Sequence, residues 1–150
     1  MEGKKLNISN ALNFILGGNS TVTFLNPETE NRFTYKVKKV KDSDLYFVSV
    51  LTSPDVYTYI GYITKEFRYG KKSKISNSAQ SIKVFNYFFK KLKSNNLSEK
   101  VEIWHNGKCG KCGRKLTVPS SIDTGIGPEC FKRLSKDKKR DLIIKSILSQ

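Results

Sequence analysis

Apolar and polar residues alternate with a period of two through much of the first half of this chain. Thr21 to Leu25 is one such run. RFTYKVKK is another, in which Phe33, Tyr35 and Val37 are separated by Thr34, Lys36 and Lys38. LYFVSVLT and VYTYIGYIT follow, and the connecting stretches NPETEN, KDSD and SPD are short and rich in turn formers. Short turns between consecutive strands predict an antiparallel meander of about four strands. EFRYGKKSKI reads as a fifth strand or a loop. Ahead of these strands, Ser9 or Asn10 can cap a short helix through Ala11, Leu12, Phe14, Ile15 and Leu16, which Gly17-Gly18 stops.

From Ser78 the period changes. Ile82, Phe85, Phe89 and Leu92 fall at helical spacing, and Lys90, Lys91 and Lys93 lie near the end, where cations suit the helix dipole. This helix is expected to lay its aromatic stripe on the sheet. SNNLSEK reads as a linker, and FKRLSKDKKRDLIIKSILSQ predicts a short helix and then another carrying Leu142, Ile143, Ile147 and Leu148.

Composition adds a partner class. The 150 residues hold 28 Lys plus Arg against 13 Asp plus Glu, a formal net charge of +15. With a pI near 9.8, that surplus points to a polyanion: nucleic acid, an anionic membrane or an acidic protein. The plainer alternative is lysine spread evenly for solubility. Nine Phe and seven Tyr are enough for a real core. No apolar run approaches the ~20 residues that cross a bilayer, so no membrane span is expected, and of the polyanions nucleic acid or a host protein is the expected partner rather than a membrane. The first residues do not read as a signal peptide.

The three cysteines and the one histidine lie in WHNGKCGKCGRKLTVPSSIDTGIGPEC, residues 104–130. An odd number of cysteines with a CxxC pair argues against a disulfide framework and for a metal in a reducing compartment. Structural Zn²⁺ takes four tetrahedral ligands, best thiolate and imidazole. His105, Cys109, Cys112 and Cys130 supply that set, and the glycines of Cys-Gly-Lys-Cys-Gly permit the tight turn of a knuckle. Water or a carboxylate, Glu129 or Asp123, is the alternative to His105 in the fourth position. Gly127 as N-cap and Pro128 as first helical residue would place Cys130 in a first helical turn. The competing reading is three buried free cysteines, although they sit among Gly, Lys and Asn.

The run C-x-x-C-G-R-x-L-T-x-P-x-S-I-x-x-G-I-G-P-x-C resembles an uncharacterised zinc-binding domain found widely in phage-encoded proteins. FTYKV, YFVSVLTSPDVYTYIGYI and KSKI look like the same proteins, so the resemblance covers roughly residues 20–131. It implies a phage origin, zinc held by His105, Cys109, Cys112 and Cys130, and a place in the bacterial cytoplasm. No activity is implied. The expected fold class is α+β: an antiparallel β-meander with a packed amphipathic helix, followed by a small zinc-ribbon or knuckle module and a C-terminal helix. The boundary separates residues 1–98 from 99–150.

The expected function is nucleic-acid binding through backbone phosphates with weak sequence specificity, zinc being structural. Arg68, Lys71, Lys72 and Lys74 form a dense basic segment around Gly70, and Lys111, Arg114 and Lys115 surround the CxxC. These seven are the expected phosphate contacts. The tyrosines on or beside the strands suit base stacking, or else simply cover the core. The alternative is a host-takeover or counter-defence protein, of the anti-CRISPR kind, that binds and inhibits a bacterial protein. Catalysis is not expected. HExxH and the deaminase pattern are absent, and no second histidine stands ready to activate a cysteine.

Overall fold

The computed structural model describes residues 4–98, 100–117, 119–127 and 130. Seven antiparallel strands form one sheet: β1 (Lys4–Leu6), β2 (Asn19–Asn26), β3 (Asn31–Lys39), β4 (Tyr46–Ser53), β5 (Val56–Ile63), β6 (Phe67–Tyr69) and β7 (Glu102–His105). Their order is β1-β7-β2-β3-β4-β5-β6. Helices α1 (Ile8–Ile15), α2 (Gln80–Lys93) and α3 (Pro119–Thr124) complete the described elements.

The alternation read in the sequence sets the faces. Val22, Phe24, Tyr35, Val37, Val48 and Val50 point to one side and are buried. Against them pack Phe14 and Ile15 of α1 and Ile82, Phe85, Phe88 and Phe89 of α2, in a single apolar cluster. Phe24 stacks on Phe88 at 4.5 Å, and Tyr35 meets Phe85 edge-on at 4.9 Å. Burying one such ring contributes about 1.5–3 kcal/mol, so this aromatic cluster is a principal source of stability. The Tyr35 hydroxyl, carried into that core, donates to the Ser81 carbonyl at 2.5 Å. Burial raises its pKa far above the ordinary tyrosine range.

The expected fold class is corrected by this sheet. The described chain is built on one seven-stranded antiparallel sheet with few, short helices, rather than a four-strand meander completed ahead of a zinc module and a C-terminal helix. The physical reason lies on the free edge of β2, whose backbone groups need partners. β7, from the stretch leading into the cysteines, supplies them: Val22 pairs with His105 and Phe24 with Ile103. β1 then pairs with β7, Leu6 opposite Ile103. The expected C-terminal helices lie outside the described residues. The first helix begins earlier than its expected caps, because the Asn7 side chain accepts the Ser9 N–H at 3.3 Å. Among the described residues no helix is long and apolar enough to cross a membrane.

Candidate metal centre

β7 leads from the sheet into a tight loop. Gly107 and Gly113 both take φ +78°, the left-handed conformation that glycine adopts without steric cost. Between them Cys109 N–H donates to the Arg114 carbonyl at 2.7 Å, Gly113 N–H donates to the Cys109 carbonyl at 2.8 Å, and Leu116 N–H donates to Gly107 at 2.7 Å. These bonds turn the CxxC back on itself. The sulfurs of Cys109, Cys112 and Cys130 lie within 4.8 Å of one another, close enough to hold a single metal ion. Cys109 and Cys130 are buried with Leu116 and Ile126 in a second, small apolar cluster, while Cys112 is exposed.

The electrostatics suit a site built for thiolates. At Cys109 burial opposes ionisation, but Gly127 N–H at 3.2 Å and Lys111 N–H at 3.4 Å point at the sulfur. With the Cys112 N–H they outweigh burial and hold its pKa below the ordinary thiol value. Cys130 goes the other way. Burial and its hydrogen bonds and charge repulsion with Cys112 and Cys109 push it up to about 12. Without a cation Cys130 therefore keeps its proton, and a bound metal would displace it.

His105 has a different place from the one expected. It is fully buried and lies outside the cysteine group. Its Nδ1 accepts the Gly107 N–H at 3.0 Å, which leaves Nε2 as the donor to the Ile122 carbonyl at 2.8 Å. Its ring packs on Phe14 at 5.4 Å. Both nitrogens are thus committed to backbone groups, so His105 staples the loop to α3 instead of completing the sulfur set. A signal for this was present in EIWH: period-two alternation puts His105 on the face of buried Ile103, turned from half-buried Trp104. Of the alternatives, exposed Asp123 does not join the group. Glu129 and Pro128 lie outside the described residues.

Burial, against the Ile122 bond and with Lys4 adding to it, lowers the pKa of His105 below the ordinary 6.5. A lowered histidine pKa stabilises the fold above 6.5, and that contribution is lost as the pH falls below it, where the unfolded chain binds the extra proton. His105→Gln is expected to leave metal stoichiometry unchanged in native mass spectrometry. It should cost about 1–3 kcal/mol of stability, because two buried backbone groups lose partners. Loss of the metal in this variant would restore His105 as a ligand.

The seat of the loop comes from residues far away in the chain that carried no local signal. Phe14 is fully buried against it. A Cβ on Gly110 would lie 2.8 Å from the Phe14 ring, and one on Gly125 only 2.3 Å. Asn10 Nδ2 donates to the Asp123 carbonyl at 3.0 Å, and Asn19 N–H to the Gly110 carbonyl at 2.7 Å.

The seven expected phosphate contacts fall in two places. Arg68 lies on the edge strand β6, and Lys71, Lys72 and Lys74 follow it, all four exposed. Lys111, Arg114 and Lys115 are exposed on the cysteine loop.

No curated protein and no solved structure matches this chain. Residues 104–135, which contain the whole cysteine loop and under a quarter of the chain, match the model of a family of unknown function (DUF6011).

Proposed function

We propose that the chain is a small basic zinc-binding protein that binds nucleic acid through backbone phosphates, with weak sequence preference and with zinc in a structural role. Cys109, Cys112 and Cys130 would hold the ion, since three soft thiolate donors this close suit Zn²⁺. The observation that carries the reading is the charge around the sulfurs. Three thiolates and Zn²⁺ sum to −1, and Lys108, Lys111, Arg114 and Lys115 all stand exposed on the same loop. The positive excess there belongs with the chain's +15. His105, neutral and engaged at both nitrogens, supplies no general base to the cysteines, which supports a non-catalytic role. The resemblance of residues 104–130 to a phage-borne domain supports a phage origin and action in the bacterial cytoplasm.

Binding to DNA or RNA fragments should fall steeply as salt rises, because each phosphate contact releases counterions. A log–log plot of affinity against salt measures this. Binding that is absent at low salt, or flat across the titration, would sink the proposal. Capture of a stoichiometric host protein after nuclease treatment would then favour inhibition of a bacterial protein.

A further inference from the structure

The second face of the sheet is built unlike the first. Directly paired residues share a face, so register alone defines a row across five strands: Asn19 opposite Lys38, Lys38 opposite Phe47, Phe47 opposite Tyr62, and Tyr62 opposite Arg68. A second row beside it runs Thr21, Lys36, Ser49, Tyr59. Strict alternation would put Tyr59 and Tyr62 on opposite faces. A bulge in β5 prevents that: Ser49 pairs with Tyr59 while Val48 pairs with Gly61, which leaves Ile60 as the extra, buried residue. Both tyrosines therefore share the face of Phe47.

These rings are held in place, with Phe47 exposed and Tyr59 and Tyr62 half-buried. Phe47 is 45% exposed although it lies in the middle of a strand. Tyr59 meets it edge-on at 5.7 Å. The Tyr59 ring also rests on Gly70, where a Cβ would come within 2.4 Å of it. Lys36 Nζ lies 4.9 Å from the centroid of the Tyr57 ring on the same face. Among the described strand residues of this face, the acidic side chain is Glu102, already taken by the Trp104 indole N–H at 3.1 Å.

The row does not stop at β2. A Cβ on Gly113 would lie 3.0 Å from Asn19 Nδ2, so the cysteine loop sits against the first residue of the row. The loop, with its exposed Lys111, Arg114 and Lys115, thus adjoins the β2 end of a row whose other end is Arg68.

We propose that this face is a platform for single-stranded nucleic acid: bases stack on Phe47, Tyr62 and Tyr59, and the backbone follows Lys36, Lys38 and Arg68 toward the cysteine loop. This rests on the nucleic-acid reading above and gives it a site and a strand state. Exposed π-faces at cross-strand spacing serve unpaired bases, whereas the stacked bases of a duplex cannot reach them. Flanking cations with little acid supply the charge complementarity, and at that site the metal centre acts by fixing one end of the path.

Fluorescence anisotropy of the full metal-loaded chain with an oligothymidylate, and with a duplex of equal length, tests the proposal. Wild type should prefer the single strand. Phe47→Leu and Tyr62→Leu, which keep apolar bulk but lose the ring, should each weaken binding by roughly tenfold. Phe47→Tyr should restore it. Arg68→Gln and Lys38→Gln should each lower the salt slope by about one. Preference for the duplex, or binding indifferent to both leucine variants, would overturn the platform and leave phosphate binding standing. No binding to either probe at low salt would overturn both. Should the leucine variants fail to fold, Arg68→Gln and Phe47→Tyr still decide, since an unchanged salt slope in the first or a large loss in the second contradicts the platform.

Discussion

Replacing Cys109 and Cys112 together by serine is expected to abolish metal binding and to unfold the cysteine loop while most of the sheet persists. The loop's own apolar cluster is small: Cys109, Leu116, Ile126 and Cys130, with Ile122 against it. That is far less than an independent unit needs. A structural zinc supplies on the order of 10 kcal/mol to such a module, which dominates what the cluster can bury. The sheet has a separate source of stability in the aromatic core beneath α1 and α2. Hydrogen exchange should therefore show fast amides at residues 107–116 and continued protection in β2 to β5, and native mass spectrometry should report the lost ion. Chelation of the wild type should reproduce both results, and lowering the pH should weaken metal retention, because protons compete for the thiolates. A metal retained in the double variant would end the reading of this site as a metal centre.

Phe14→Ala is expected to be the most damaging single change outside the cysteines, lowering stability by about 3–5 kcal/mol. The ring is fully buried and bridges two assemblies. On one side it belongs to the main core, and on the other it touches His105 and fills the space that Gly110 and Gly125 leave open. Truncation removes the transfer energy of the ring and leaves a cavity at the junction, which rigid neighbours cannot close. Metal affinity should fall as well, although no ligand is altered. Gly125→Ala approaches the same contact from the other side. It sets a Cβ 2.3 Å from the ring at a φ of +74°, where any side chain is strained. Urea denaturation read by circular dichroism checks both, with a loss below about 1 kcal/mol for Phe14→Ala counting against this packing role.

Much of the framework was legible because its signals are local. Alternation in RFTYKVKK and YFVSVLT marks β3 and β4, since neighbouring side chains of a strand must take opposite faces. The CxxC announces a chelating turn for the same reason, as two residues of spacer bring its sulfurs together whatever the rest of the chain does. β1 and β7 were missed because strands of three and four residues are too short for a period to show. The seat of His105 was not legible, because nearness to Cys109 in sequence does not imply nearness in space. A β-strand defeats that inference, pointing the imidazole inward with Ile103.

The amino-acid sequence alone determined the charge excess, the strand-forming alternation and the chelating cysteine pair, each a property of composition or of near neighbours. Tertiary structure decided how these meet. Pairing of β2 with β7 ties residues of the chain's first sixth to the threshold of the cysteine loop, and Phe14 wedges the two together. A single extra residue in β5 puts Tyr59 and Tyr62 on one face. Such choices depend on which distant partner satisfies a strand's backbone and fills a void, and that energy is nowhere in the local pattern.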